Sequence, residues 1–372
     1  MIIRKSYKFR LNPTKKQAGI LQTVLDECRW LYNNLLEQRK LSYEDLGMSL
    51  SKMNQQAFLP LLKEERPSLL LVHSQVLQNI NDRIDKAFKN FFRRCKSGEK
   101  PGFPRFRGFD RYDSFCYSQS GFSIEGKDLK LSKIGNIRIV QHREIEGKIK
   151  TCTIRRQDGK WYACFSCEME AIPLPANNNS IGIDLGIENF ATLSDGEKIE
   201  NPRFFKKSEK DLAKAQRKLS KLNKGTPERN KQKKIVSKIH QRVRNKRSDF
   251  CHQTSRKIIN EYQYICLEDL STAKMMQDSY LAKSIADVSW NQFAQFLTYK
   301  AEEAGRKLGI VNPAYTSQNC SQCGNREVKK LSERNHCCQI CGYTAHRDVN
   351  AAKNVLALGL DSLVEIPRSL RL

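Results

Sequence analysis

Two Cys-x-x-Cys motifs in the C-terminal part of the sequence have the spacing of metal ligands. CSQC spans Cys320 to Cys323, and CQIC spans Cys338 to Cys341. Two thiolate pairs of this kind surround one Zn²⁺ in a tetrahedron, and a site closed by four cysteines is structural rather than catalytic. Cys337 lies next to Cys338 but does not give the two-residue gap. The spacing therefore predicts a structural zinc site formed by the four cysteines of the two motifs.

Three acidic residues indicate a second metal site. Asp184 lies in the apolar run SIGIDLGIENFATL, where an unpaired carboxylate would be costly to bury. Glu268 follows the apolar run YQYICL and Asp348 begins the Ala-rich segment DVNAAKNV; singly, they are explained as a strand-end charge and a helix N-cap. Together, the three acids would repel one another unless cations lay among them, and Mg²⁺ or Mn²⁺ prefers such oxygen ligands. Because two such ions can hydrolyse phosphodiesters, the pattern predicts a nuclease site.

An ATPase is an alternative for the first of these acids. IGIDLG also resembles the first phosphate loop of the actin and Hsp70-type ATPases, which share the RNase H-like strand arrangement. In those proteins small hydroxyl residues usually follow, whereas Ile187 and Glu188 follow here, and no Gly-rich adenosine loop occurs later in the sequence. The zinc motifs and the basic segment described next have no place in that alternative.

The charge of the sequence predicts a polyanionic partner. Its 372 residues include 66 Lys and Arg against 40 Asp and Glu, a net charge of +26, and nucleic acid is the commonest large polyanion. Residues 203–247 alone contain 18 basic and 3 acidic residues. Leucines and isoleucines at helical spacing, with Thr226-Pro227 as a helix start, predict a basic helical hairpin over 203–250. The residues that we expect to contact phosphates are Arg217, Lys221, Lys234, Lys238 and Arg242.

The sequence predicts a cytoplasmic protein that associates with the nucleoid when it is bound to DNA. The N-terminus MIIRKSYKFRLNP has neither the apolar core nor the cleavage site of a signal peptide, and no apolar run approaches the ~20 residues of a membrane span. Of 13 cysteines, an odd number, four have metal spacing, which favours reduced thiols over a disulfide framework. We therefore expect no membrane partner, and the sequence has no signature of an oligomeric state.

Several segments must fold to position these residues. Residues 2–11 alternate as in a strand, and Thr14 with Gln17 predicts a capping box before a helical region that extends to about residue 96. Gly and Pro punctuate residues 98–108. Short alternating segments then predict a small antiparallel β-barrel, which the first strand would complete with the helical region as an insertion.

The order of these parts resembles the TnpB family, transposon-encoded RNA-guided DNA nucleases that are related to compact type V CRISPR effectors. The resemblance extends over nearly the whole sequence. It depends on YKFRLNPTKKQ, CRWLYN, SQVLQNINDRIDKAFKNFF, GFPRF, IGIDLG, LEDL, TSQNCSQCG and CGYTAHRDVNAAKNV. The last two motifs are the most specific, and IGIDLG alone is weak.

The resemblance implies an α+β multidomain fold. It comprises an RNase H-like (RuvC) nuclease domain with an inserted four-cysteine zinc ribbon, and a small β-barrel (wedge) domain with an inserted helical recognition lobe. The implied boundaries are 1–10 and 100–175 for the wedge, 11–99 for the lobe, 176–315 and 347–372 for the nuclease domain, and 316–346 for the zinc ribbon.

The resemblance also implies roles for residues and partners. Asp184, Glu268 and Asp348 would be the catalytic acids that bind Mg²⁺ or Mn²⁺, and a guide RNA would pair with one strand of a target DNA. The protein would recognise a short motif that flanks the target, and by analogy Gln75 and Gln78 would face this motif. The sequence departs from the family at His346, where another acid is typical.

Two further functions remain open. An RNA-guided repressor that binds without cutting would be expected to lack one of the three acids, and all are present. A transposase that transfers DNA strands would need a site for a DNA 3′ hydroxyl or a Tyr or Ser nucleophile, and the sequence singles out none.

Overall fold

A computed structural model shows an α+β protein and describes residues 1–328, 330 and 333–363. The α+β class predicted above is confirmed. The chain divides into two compact units, one of residues 2–170 and one of Met1 with the described residues from Ala171 onward. Residues 364–372, which the predicted nuclease domain includes, and residues 329, 331 and 332 of the predicted zinc ribbon lie outside the described residues. No described helix combines the length and the apolar composition needed to cross a membrane.

The unit of residues 2–170 contains a seven-stranded antiparallel sheet. Its strands are β1 (Ile2–Asn12), β2 (Ser114–Tyr117), β3 (Phe122–Glu125), β4 (Asp128–Leu131), β5 (Gly135–Val140), β6 (Lys148–Gln157) and β7 (Lys160–Glu170). They are arranged in the order β2-β6-β7-β1-β5-β4-β3. Phe122 on β3 packs on Phe165 on β7, with ring centroids 6.4 Å apart, although three strands separate them in this order. Tyr117 on β2 also lies 6.4 Å from Phe122, so the sheet curls until its two edges approach each other. The sequence predicts a closed barrel. The structure instead has a curled sheet with β2 and β3 as its two edge strands.

Four α-helices belong to the same unit. The helices at residues 15–46, 59–65 and 74–96 share one buried core with the sheet, whereas the short helix at residues 52–57 buries only Gln55. The predicted capping box at the first helix is confirmed, because the Thr14 hydroxyl accepts from the Gln17 amide and the Gln17 side chain accepts from the Thr14 amide at 2.9 Å. The helices are α1 (Lys15–Leu46), α2 (Lys52–Ala57), α3 (Leu59–Glu65) and α4 (Ser74–Lys96), with 3₁₀ turns at Pro67–Leu71 and Phe109–Arg111.

The second unit contains a five-stranded mixed sheet in the order β10-β9-β8-β11-β12. Its strands are β8 (Ser180–Leu185), β9 (Asn189–Leu193), β10 (Lys198–Glu200), β11 (Tyr264–Glu268) and β12 (Lys307–Val311). The pairs β10–β9 and β9–β8 are antiparallel, whereas the pairs β8–β11 and β11–β12 are parallel. A two-stranded hairpin, β13 (Asn335–Cys337) and β14 (Thr344–His346), flanks the second Cys-x-x-Cys motif. The helices are α5 (Phe204–Ser220), α6 (Pro227–Glu261), α7 (Thr272–Met275), α8 (Ser279–Val288), α9 (Trp290–Ala304) and α10 (Arg347–Leu363).

Strand alternation determines which face of this sheet carries the acids. Ile183 on β8 and Leu267 on β11 are opposite each other and pack in the core beneath α6 and α9. Successive side chains of a strand point to opposite faces. Asp184 and Glu268, the next residues on each strand, therefore belong to the other face, which α10 covers.

Glycine allows α10 to pack with its backbone almost in contact with the sheet. A Cβ atom on Gly182 of β8 would overlap the carbonyl oxygen of Ala352 and lie 2.8 Å from Cβ of Leu356. A Cβ atom on Gly359 of α10 would likewise overlap Sγ of Cys266 on β11. Small residues on both surfaces thus set the separation between α10 and the two strands that carry Asp184 and Glu268.

We predict that Gly182→Ala destabilises the second unit by about 3 kcal/mol, because the added methyl group must displace backbone rather than a flexible side chain. The measurement is thermal or urea unfolding. Gly19→Ala is the matched control, since nothing lies within 4 Å of that position in α1. It should be neutral or slightly stabilising. Equal effects of the two changes would contradict this description of the packing.

Candidate active site and metal centre

The structure places Asp184 and Glu268 in contact, with Asp348 near enough for its charge to act on both. Asp184 lies near the end of β8, and the parallel register places Glu268, the last residue of β11, beside it. The two side chains share a hydrogen bond. Asp348 lies in the first turn of α10, with 17% of its side chain exposed, and its charge acts on both of the other acids.

The electrostatics of this cluster favour a bound cation. Burial, followed by the hydrogen bond and charge of Glu268 and the charge of Asp348, raises the pKa of Asp184 well above its ordinary value. Burial and the charge of Asp348 also raise the pKa of Glu268. Two carboxylates that share a hydrogen bond must retain a proton between them, so the cluster without metal resists full ionisation. A divalent cation would replace that proton.

Individual atoms of the cluster fit a hard divalent ion. Glu268 is 7% exposed, and apart from the hydrogen bond with the Asp184 carboxyl group no described group donates to its buried Oε1. An oxygen in this state lacks a partner that a metal would supply. His346, the departure from the family pattern, lies beside the cluster, with Nδ1 accepting from the Asp348 amide at 3.3 Å. Arg347 Nε lies 3.5 Å from Oδ1 of Asp348. The three acids thus have the donor chemistry that Mg²⁺ or Mn²⁺ requires.

The four predicted zinc cysteines form a separate cluster. The Sγ atoms of Cys320, Cys323, Cys338 and Cys341 all lie within 4.8 Å of one another. The pairs Cys320–Cys341 and Cys323–Cys338 are 3.7 and 3.5 Å apart. A tetrahedral ion with Zn–S bonds of ~2.3 Å would have sulfur atoms about 3.8 Å apart, so the cluster fits Zn²⁺. Cys337 is exposed and, as predicted, lies outside the cluster.

Two similar turns shape the cysteine cluster. Gly324 N donates to Cys320 O at 2.9 Å, and Gly342 N donates to Cys338 O at 3.0 Å. Both glycines have positive φ angles, 75° and 71°, which side chains rarely adopt. The backbone N–H of Cys341 also lowers the pKa of Cys338 to about 7, which favours the thiolate that zinc binds.

Two asparagines attach the first of these turns to α10. Asn350 is fully buried; its Nδ2 donates to Asn319 O at 2.7 Å and its Oδ1 accepts from Ser321 N at 2.9 Å. Asn354, one helical turn later, donates to Thr316 O at 2.8 Å and to Asn319 O at 2.7 Å. The cysteine cluster is thus joined to the helix that carries Asp348.

The predicted basic hairpin is present as α5 and α6, which pack against each other. Thr226 caps α6 by accepting from Arg229 N at 3.3 Å. Asp287 of α8 anchors the hairpin, since its carboxylate accepts from Phe205 N at 2.8 Å and pairs with Arg247 at 2.8 Å. The candidate phosphate contacts are all exposed on these helices and on the turn between them: Arg217, Lys221, Lys234, Lys238 and Arg242.

The two candidate glutamines of α4 differ in their surroundings. Gln75 is half-buried, and its Oε1 accepts from the amides of Gln119 and Ser120 at 3.1 and 2.8 Å, so it holds the turn after β2. Gln78 is exposed. Only Gln78 therefore presents its whole amide group to solvent.

Comparison with known proteins identifies relatives along the whole chain. Family models described as "Helix-turn-helix domain", "Probable transposase" and "Cas12f1-like, TNB domain" match residues 1–47, 164–279 and 290–355. A "Putative RNA-guided DNA endonuclease" of Streptomyces pristinaespiralis is 32% identical over 96% of this chain and 90% of its own length. The corresponding values for the "Putative RNA-guided DNA endonuclease InsQ" of Escherichia coli (strain K12) are 31%, 95% and 92%. "TnpB-like protein L770" of Acanthamoeba polyphaga mimivirus is 32% identical over 97% of this chain and 74% of its own length.

The chain belongs to the TnpB family. The resemblance noted in the sequence is therefore confirmed. In this family member the residues matched by the helix-turn-helix model fold differently from that description, because the structure has the strand β1 followed by one continuous helix of 32 residues.

The sequence alone did not single out several residues of this TnpB family member that position the site. Asn350 and Asn354 are four residues apart on an Ala-rich helix, and this polar stripe is the only signal of their role. Asp287 gives no comparable signal, because its partners Phe205 and Arg247 are 82 and 40 residues away. Arg347 lies beside Asp348 in the sequence, and its Nη1 donates to Glu333 O at 3.1 Å and so stabilises the start of α10.

We predict that the stability of the protein without Mg²⁺ depends on pH through the acidic cluster. Because the folded-state pKa values of Asp184 and Glu268 are raised, the folded chain binds more protons than the unfolded chain. The free energy of unfolding therefore falls as pH rises from about 4 through the raised values. Asp184→Asn should raise the melting temperature near neutral pH more than near pH ~4, and Mg²⁺ should stabilise the wild type but not this variant. Equal shifts at both pH values would contradict the prediction, and Asp269→Asn at the exposed neighbour of Glu268 is the control.

We predict that Cys338→Ser releases zinc, because three thiolates leave the tetrahedral site incomplete. Metal analysis of the purified protein should show about one zinc ion per wild-type chain and a large loss in the variant. The melting temperature should also fall, since the cluster is joined to α10. Cys337→Ser is the matched control at the adjacent exposed thiol and should retain zinc. An unchanged zinc content in Cys338→Ser would refute the four-cysteine assignment.

Proposed function

We propose that the chain is an RNA-guided DNA endonuclease that cleaves target DNA by metal-dependent hydrolysis, with Asp184, Glu268 and Asp348 as ligands of Mg²⁺ or Mn²⁺. The observation that supports this proposal is the contact of Asp184 with Glu268, together with the charge of nearby Asp348 and a buried Glu268 oxygen to which no described group other than Asp184 donates. The names of the relatives from Streptomyces and Escherichia coli support the same activity. The guide RNA and the target DNA would be the partners, with a structural Zn²⁺ in the cysteine cluster.

Each residue of the site has a physical role in this proposal. Metal ions, when bound, would activate water and stabilise the leaving oxygen of the phosphodiester. The adjacent parallel strands hold Asp184 and Glu268 side by side, so their carboxylates need little rearrangement to act together. Arg347 and the first turn of α10 hold Asp348. The buried position of Glu268 keeps water from competing for its oxygens.

The domain assignment is part of the proposal. The sheet order β10-β9-β8-β11-β12, with three antiparallel strands followed by two parallel neighbours, supports an RNase H-like (RuvC) domain over 176–315 and 347–372. The cysteine cluster supports a zinc ribbon at 316–346. The curled sheet and the four helices of the other unit support a wedge domain at 1–10 and 100–175 and a recognition lobe at 11–99.

The basic hairpin and α4 would contact nucleic acid. The exposed cations of α5, α6 and the turn between them would hold phosphates of the guide or of its duplex with the target, whatever the sequence. Gln78 would face a short motif next to the target, while Gln75 would shape that surface through its bonds to residues 119–120. The protein would then act in the cytoplasm, on the DNA of the nucleoid.

A second candidate function is strand transfer, which the "Probable transposase" description of the matching family model favours. A transposase would join a DNA 3′ end to its target, whereas a hydrolase leaves two free ends. A repressor without cleavage is the third possibility. The products formed from one guided target therefore separate the three functions.

We predict that Asp184→Ala and Glu268→Gln abolish guide-dependent cleavage, by about a thousandfold or more, and leave guided DNA binding intact. The chain is expressed with its native flanking DNA, the bound RNA is sequenced, and the complex is incubated with Mg²⁺ and a matching target flanked by randomised bases. Asp269→Asn, an exposed acid next to Glu268, is the control and should cut normally. Binding without cutting by the wild type would favour the repressor, joined products would favour the transposase, and loss of binding in Asp184→Ala would make that acid structural.

A further inference from the structure

A cavity of about 360 Å³ lies at the C-terminal end of α4, in the unit of residues 2–170. Its volume is within the range of ligand pockets, about 300–1,000 Å³. Five of its ten lining residues are aromatic. The lining residues that matter here are Arg39, Tyr43, Phe88, Phe91, Phe92 and Phe103.

The aromatic wall is ordered and open to solvent. The ring of Phe103 packs edge-to-face on Phe88 and Phe91, with centroids 5.6 and 5.4 Å apart. Yet Phe103 is 47% exposed and Phe92 is 51% exposed. Large aromatic side chains that are half-exposed around a cavity offer flat surfaces on which another ring can stack.

A buried cation lies in the same wall. Arg39 is only 8% exposed, and its guanidinium lies 5.0 Å from the centroid of Phe88. Its Nε donates to Gln55, and its Nη2 pairs with Oδ1 of Asp85 at 3.5 Å. The guanidinium is thus held as a planar cation in the aromatic wall, beside which a ring that carries nitrogen or carbonyl acceptors can bind.

The chain segment beside the cavity is strongly basic. Residues 93–111 contain seven Lys or Arg against Glu99 and Asp110. Asn33 fixes this segment on α1, because its Nδ2 donates to Arg107 O at 3.1 Å and its Oδ1 accepts from Arg107 N at 2.7 Å. Arg105 and Arg107 are exposed there. A flat aromatic ligand that enters the cavity would therefore carry negative charge on its exposed part.

We propose that this cavity binds an unpaired base of a single-stranded nucleic acid, RNA or DNA, by stacking on Phe92 and Phe103 while the basic segment holds the flanking phosphates. Aromatic stacking with cationic contacts is how proteins bind unpaired nucleotides without reading a duplex. The inference deepens the proposed function. It rests on that function in one respect, namely that nucleic acid is the partner.

The test measures binding of the RNA-free chain to a short fluorescent single strand, at a salt concentration that weakens phosphate contacts. RNA and DNA of one sequence form two arms, and each is compared with a strand of abasic residues. Phe103→Leu and Phe92→Leu should each bind the base-containing strand about five- to tenfold more weakly and should not change binding of the abasic strand. Phe109→Leu, on the same segment but outside the cavity, should bind like the wild type.

Three outcomes would overturn the proposal: no loss in the two cavity variants, an equal loss for the abasic strand, or the same loss in Phe109→Leu. An equal loss for the abasic strand, or the same loss in Phe109→Leu, would mean that the cavity binds an apolar protein partner or no ligand. The arm with the larger effect identifies RNA or DNA as the source of the base. Cleavage by the wild type is measured separately, so base-dependent binding without cleavage would reject the proposed function and leave this inference standing.

Discussion

The close approach of α10 to the sheet is the constraint on which the site depends. Gly182 on β8 and Gly359 on α10 leave no room for a methyl group between helix and strands. At this separation the first turn of α10 places Asp348 near Asp184 and Glu268. The three acids come from segments far apart in sequence, so no local interaction could hold them together. Packing of two backbones therefore determines the geometry of the acidic cluster.

The cysteine cluster extends the same constraint. Asn350 and Asn354 join its first turn to α10 through partly buried hydrogen bonds. A zinc ion in that cluster would therefore also stabilise the position of the helix, although it lies outside the acidic site and has no open ligand position for chemistry. The cysteine cluster thus lies directly before the helix that carries Asp348 and is fixed to that helix.

Local signals in the sequence predicted some features well and others not at all. The capping box at Thr14 and the four clustered cysteines were predicted correctly because spacing alone determines their chemistry. The curl of the seven-stranded sheet depends on pairings between distant strands, so alternation could indicate only its strands. The carbonyl of Gln75 is occupied by amides about 45 residues away, which no pattern near Gln75 reveals. The cavity beside Arg39 has the same origin, since three separate segments form its wall.

The acidic site lowers the stability of its unit, and the rest of the unit compensates for that loss. Adjacent strands force Asp184 and Glu268 together, and burial raises both pKa values, so the fold without metal carries an electrostatic cost. The apolar core beneath α6 and α9 and the hydrogen bonds of α10 offset that cost. A residue pair that only stabilised the fold would be apolar at these positions. The proposed function accounts for two acids on adjacent rigid strands that otherwise have to share a proton, because a bound cation would take the place of that proton.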